Sequence, residues 1–382
     1  MTFPDMAARD SAESQRLRRF YSSGAWIEGD AERQLTQTLA RPGVQAVAAF
    51  PDLHPGIHGP VGAAILSDRA HPALIGGDVG CGMAMFRLDL PARRLKLDKA
   101  AAALRGLSES WRGNPWELLE AEGLHPETFP AALGTLGGGN HFCELQAVAA
   151  LDDPEEAARA GVESGSLLLL VHTGSRAFGP MLLGALTPAE QEALDLATEA
   201  GADYLRQQEM AVRWAALNRR AIAGRAAELL RAEAELIADS PHNLLEPHAG
   251  GWLHRKGAAK TSPGALVPLA GSREAPSWLL KAATTQPEGA LDSLAHGAGR
   301  RYRRSAMHGR VGRSKSELLR LERPAGGSRV ICEDRGLLIE EAGAAYKDAR
   351  KVLADLVAFG LAAPVVETRP LLTFKTAREA RA

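Results

Sequence analysis

Read for the alternation of apolar and polar positions, the chain separates into extended pieces and one long helical stretch. VGAAIL (61–66), MAMFRLDL (83–90) and SLLLLVH (166–172) read as strands. The last is an unbroken apolar run, the pattern of a strand covered on both faces. From Leu186 to Leu236 the chain is rich in Ala, Leu and Glu at helical spacing. That predicts two long helices, the first opened by Thr187 as cap with Pro188 behind it. PVVETRPLLTFK (364–375) predicts two short extended pieces around Pro370. Strands and helices do not alternate as in βαβ units. The expected fold class is therefore α+β, with mixed β-sheets, surrounding helices and one integrated domain over 1–382.

Composition changes this picture little. The 382 residues carry a net charge of −1, so no global positive field attracts nucleic acid and a polyanionic partner must be held locally. Three cysteines exclude a disulfide scaffold and fit a reducing compartment. The first twenty residues lack the apolar core of a signal peptide, and no apolar run approaches a membrane span. The expectation is a soluble, cytoplasmic protein with no membrane partner.

Candidate chemistry gathers where strands stop and glycine-rich loops begin. GGDVGCG (76–82) sets Asp78 and Cys81 three apart among four glycines. A carboxylate and a thiolate so placed can share a metal; the plain alternative is a tight turn with a buried, inert cysteine. GTLGGGNHF (134–142) runs three glycines into Asn140 and His141, a backbone able to hug an anion, or a simple surface loop. There is no GxxxxGK[ST] P-loop and no GxGxxG after a strand. VHTGSR puts His172 at a strand end, and PHN puts His242 after the helical stretch. Cys, Asp and three His form a plausible transition-metal set. AHGAGR (295–300) bends one histidine, His296, between glycines. It opens the most basic segment, 299–323, with nine Lys or Arg against two Glu, able to bind RNA phosphates or a nucleotide.

In this order PDLHPG, GGDVGCGM, GTLGGGNHFCE, VHTGSR, PHN, LHRKGA, AHGAGR, AYKD and RPLLTFK resemble the RtcB family of RNA ligases, from about Ile27 to Lys375. The resemblance implies a ligase dependent on GTP and two Mn²⁺ ions. It joins RNA 3′-phosphate or 2′,3′-cyclic phosphate ends to 5′-hydroxyl ends. Asp78, Cys81, His141, His172 and His242 would hold the metal, Cys81 bridging both ions. His296 would be the nucleophile that accepts GMP. Asn140, Glu144, Arg300, Tyr346 and Lys375 would bind the nucleotide. This compact form is similar to a bacterial branch linked to a peptide-release factor. That implies repair of damaged tRNA or rRNA, with a release-factor-like protein or an archease-like activator as partner.

The chain departs from the family pattern at Ala259 and Lys260, at PLAGSREAPS (268–277) and at Ala295. A lysine at 260 in place of a bidentate arginine predicts an altered grip on phosphate. Two other readings stay open: a metal-dependent cyclic phosphodiesterase that does not ligate, and a non-catalytic RNA-binding module.

Overall fold

The computed structural model describes residues 15–376 apart from 110 and 112. The fold is α+β as expected, and the described residues form three sheets. A five-stranded sheet runs in the order Leu17–Arg19, Val44–His54, Val61–Ser67, Gly251–Lys256, Asn243–His248. A small ladder pairs Ala258–Lys260 with Ser293–Ala295. The large sheet runs Leu266–Leu269, Ser277–Ala282, Ala362–Thr376, Phe142–Leu151, Leu167–Thr173, Gly82–Leu88, Ala234–Pro241, with Arg329–Cys332 added parallel to Ala362–Thr376. Its first and last strands lie against each other without pairing, so the sheet curls almost into a barrel.

The strand Leu167–Thr173 shows why. Leu167, Leu169 and Val171 pack with Ile222, Ala223, Ala226 and Ala227 of the helix Glu199–Leu230, outside the curl. Leu168 and Leu170 face inward with Met83, Met85, Leu279 and Val366. Both faces are dry, which is why the run carries no alternation. Each such side chain contributes about 1.5–3 kcal/mol. The strand's even positions point into the barrel, so His172 does too.

Two sequence expectations are corrected. The Leu186–Leu236 stretch is not two long helices. It holds a five-residue helix, Pro188–Glu192, and one of 32 residues, Glu199–Leu230. Thr187 caps the first as expected, through a capping box with Glu190. The chain leaves the helix between them because Leu194 pairs with Ala70 and Thr198 caps a new start. Leu236 lies in the strand Ala234–Pro241, where pairing with Gly82–Leu88 overrides helix propensity. At the other end, Ala362–Thr376 is one strand rather than two pieces. A register shift between Pro370 and Leu372 absorbs the proline, which has no N–H to give the ladder. The basic segment contains one eight-residue helix, Lys315–Glu322, capped by Ser314.

Candidate active site

Four of the sequence-predicted residues reach one place because of strand register. Gly82 stands opposite both Thr173 and Pro241, and Phe142 stands opposite His172. Cys81, His141, His172 and His242 are at or next to those positions, so all four gather at one end of the barrel. The Cys81 Sγ is 3.4 Å from His141 Nε2 and 3.2 Å from His172 Nε2. Asp78 Oδ2 is 3.0 Å from His141 Nε2, and His172 and His242 bring their Nε2 atoms within 3.3 Å. The loop that carries Asp78 and Cys81 is braced by the buried Arg219. Its guanidinium donates to Gly80 O and Thr173 O and pairs with Asp239. Gly80 has φ +71°, and a Cβ there would sit 2.8 Å from Ala215 of the long helix. Only glycine allows that approach.

These groups suit a divalent transition metal. His141 Nδ1 donates to Leu136 O, which aims Nε2 at the Cys81 thiol and at Asp78. Burial drives His172 and His242 well below the usual imidazole range, so both rings are neutral, the form able to bind a metal. Burial and the neighbouring Asp78 push the Cys81 thiol up. A thiolate is favoured at that position only beside a cation. Burial works against the Asp78 charge, yet His141 holds its carboxyl well below the usual range. Cys81, His141 and His172 by themselves offer ligand atoms within 4.8 Å of one another.

His296 sits beside this cluster, its ring centroid 4.5 Å from that of His242. Its Nδ1 lies 2.6 Å from Gly257 O and 2.6 Å from Asp52 Oδ2. A carbonyl only accepts, so Nδ1 carries a proton, and in the neutral ring Nε2 holds the lone pair. Asp52 is fully buried and also accepts from the His296 backbone N–H at 3.1 Å. Gly299, at φ +69°, lets the AHGAGR bend pass where a Cβ would strike Asp52 O at 2.2 Å.

A cavity of about 280 Å³ opens over these residues. Asp78, Cys81, His172, His242, Asn140, His296, Arg300, Glu144, Tyr346 and Lys375 line it, while His141 stands behind Cys81. At the end away from the cluster, burial lifts the Glu144 carboxyl to about 7. It accepts from Gln146 at 2.7 Å and from Thr373. Lys375 lies 3.4 Å from Glu341 Oε2. Burial would raise the Glu341 carboxyl, but Lys375 and Arg300 hold it down at about 2. Arg300 does not stand free for phosphate. Its three nitrogens donate to Glu341, Glu340 O and Tyr302 O, so it fixes this wall. Arg273 is 5% exposed, and its Nε and Nη1 have no hydrogen-bond partner among the described residues. Such orphaned donors in a pocket wall fit an acceptor-rich ligand, as a nucleotide is.

Sequence reasoning passed over Asp52, Lys256, Arg273 and Glu341. Asp52 stands within PDLHPG and Lys256 within LHRKGA, motifs that signal both; nothing local marks Arg273 or Glu341. Lys256 is half-buried and donates to Ile75 O at 2.6 Å, near Asp78 and Cys81. Lys260 corrects an expectation. It lies outside the cavity, exposed, in an ion pair of 2.5 Å with Glu246, so it grips no phosphate there. Cys143 and Cys332 are buried.

The family model for the tRNA-splicing ligase RtcB matches residues 34–113 and 121–376. The chain belongs to the RtcB family. An RNA-splicing ligase RtcB2 of Escherichia coli is 40% identical over 364 residues, covering 93% of this chain and 94% of that protein. The RtcB RNA-splicing ligase of E. coli K12 is 28% identical over 405 residues, at 89% and 93% coverage. The RtcB tRNA-splicing ligase of Archaeoglobus fulgidus is 26% identical over 440 residues, at 90% and 91%. The RtcB match spans every element that builds the cavity. No described helix of this RtcB-family chain is long and apolar enough to cross a membrane.

Proposed function

We propose that this chain is a GTP- and Mn²⁺-dependent RNA ligase, active in RNA repair. It joins 3′-phosphate or 2′,3′-cyclic phosphate ends to 5′-hydroxyl ends through a histidine–GMP intermediate. The observation that carries the reading is His296, its Nδ1–H locked and its Nε2 free, beside a buried Cys/His cluster and the half-buried Asp78. Manganese held by Asp78, Cys81, His141, His172 and His242 would neutralise the triphosphate and polarise the α-phosphorus.

His296 Nε2 forms a bond to the α-phosphorus of GTP as the bond to pyrophosphate breaks. The Nδ1 proton stays between Gly257 O and Asp52, and the carboxylate offsets the charge the ring acquires. An oxygen of the RNA 3′-phosphate then takes the phosphorus from Nε2, which restores the neutral imidazole. The 5′-hydroxyl attacks the 3′-phosphorus of the activated end, its proton passing to solvent as the bond to GMP breaks; a cyclic phosphate is first hydrolysed by water to the 3′-phosphate. Glu144, once ionised, accepts from the guanine N1–H and 2-amino group. Lys375 and Arg273 face its acceptors, Tyr346 closes the wall, and Asn140 contacts phosphate. Arg300 serves the nucleotide by holding Glu341 and Tyr346 in place.

The test is covalent labelling with Mn²⁺ and GTP carrying label at the α-phosphate, beside His296→Ala. Acid-labile, alkali-stable label absent from the variant supports the reading. No label with any divalent metal or with ATP moves it to the phosphodiesterase or binding-module reading. Broken tRNA or rRNA as substrate, with a release-factor-like or archease-like partner, rests on resemblance alone. Equal ligation of every matching RNA end would count against that substrate class.

A further inference from the structure

Between 300 and 310 the structure sorts the arginines into two kinds. Arg300, Arg303 and Arg304 are spent on carboxylates: Glu341, Asp30 with Glu28, and Glu341 again. Arg301 and Arg310 have no carboxylate partner among the described residues. Each lies on aromatic rings instead. Arg301 Cζ is 4.9 Å from the Trp26 ring centroid and 5.2 Å from that of Tyr302. Arg310 Cζ stands 3.9 Å from the Tyr302 centroid. The result is one stack: Trp26, Arg301, Tyr302, Arg310.

A guanidinium held over a ring by cation–π attraction does not use its N–H groups in that contact, and those groups suit phosphate oxygens. Both arginines are exposed, and Trp26 is 49% exposed although it is a large apolar side chain. The stack is also held in place, because the N–H groups of Arg301 and Tyr302 bond Ala345 O at 2.8 and 3.3 Å. It begins where the pocket opens. Tyr302 lines an outer groove with His54, Arg300 and Arg304, and these three line the cavity as well.

We propose that this stack is a platform for unpaired RNA leading into the pocket. The edges of Arg301 and Arg310 grip phosphodiesters, and Trp26 offers its ring to a base. Stacking on Trp26 needs a base freed from pairing, so the ligand is single-stranded rather than duplex. The proposal rests on the RNA-ligase reading and adds where the strand runs. The 3′-phosphate strand and the 5′-hydroxyl strand present the same chemistry.

The experiment measures anisotropy of labelled single strands of about 12 nucleotides, one set ending in 3′-phosphate and the other in 5′-hydroxyl, over a salt series. The full chain is compared with Arg301→Ala/Arg310→Ala, with the double lysine variant, and with Trp26→Ala. Removing one cation from a phosphate lowers the log–log salt slope by about 0.7. The double alanine variant then drops about 1.4 in slope for whichever strand uses the platform. The lysine variant keeps the slope but binds less tightly. Trp26→Ala weakens binding roughly 5- to 150-fold at unchanged slope. GMP labelling without RNA stays at the wild-type level in all three. Wild-type slope and affinity in the double alanine variant, for both strands, overturns the platform. So does an acidic peptide that binds as tightly as RNA and ignores Trp26→Ala. A protein that labels with GMP but shows no slope change loses the platform alone. One that never labels but shows the slope change loses the ligase reading alone.

Discussion

Asp52→Asn isolates one interaction at His296, the proposed nucleophile. The substitution keeps the size of the side chain and removes its charge from a fully buried site 2.6 Å from His296 Nδ1. Gly257 O, also at 2.6 Å, still accepts the Nδ1 proton, so the tautomer survives. What disappears is the carboxylate that offsets positive charge on the ring as Nε2 bonds phosphorus. Two unit charges about 4 Å apart at an effective dielectric near 20 interact by about 4 kcal/mol. An asparagine dipole retains part of that, leaving a loss of about 3–4 kcal/mol, or roughly 10²- to 10³-fold in rate. This is less than the 10⁴-fold typical where a carboxylate alone fixes the tautomer. The assay is single-turnover transfer of α-labelled GMP to the enzyme over a range of GTP concentrations. Asp52 touches His296 and not the nucleotide, so the maximal rate falls while half-saturation stays put. An unchanged rate would refute this account, and so would a loss confined to half-saturation.

Cys81→Ser lowers metal affinity by more than about 100-fold, read as metal retained after dialysis, because a hard hydroxyl replaces a soft thiolate. Glu144, lifted by burial to about 7, gives opposite signs for stability and binding. Its contribution to stability is complete below the ordinary carboxyl range and is lost as pH rises through about 7. That loss amounts to about 3 kcal/mol between pH 4.5 and 8. Guanine binding needs the ionised form and strengthens over the same rise. Glu144→Gln removes both pH dependences, checked by denaturant titration and GTP binding across that range. Leu169→Ala opens a cavity between the fully buried strand and the long helix. It costs about 2–5 kcal/mol in denaturant unfolding. Lys260→Arg leaves GMP transfer within about twofold of wild type, since the residue pairs with Glu246 outside the cavity.

Much of the site was legible because its chemistry lies in short loops. Asp78, Cys81, His141, His172, His242 and His296 each stand beside glycine or asparagine, or at the end of an apolar run, and those contexts are local. The strand 167–173 was legible for the same reason: seven buried positions leave a continuous apolar signature. The helical stretch misled because Ala, Leu and Glu favour a helix wherever tertiary pairing does not intervene, and at 234–236 it does. Pro370 misled in the opposite direction. A proline reads as a break, but a register shift lets one 15-residue strand pass through it.

The sequence by itself determined which atoms are available: a thiol, a carboxylate, imidazoles, and a histidine bent between glycines. Tertiary structure alone decided their partners. The carboxylate beside His296 comes from residue 52, 244 positions away, and Glu341 meets Arg300 and Lys375 from separate elements. No local pattern encodes such pairs. They depend on strand register and on how far the large sheet curls, and those follow from packing the whole chain.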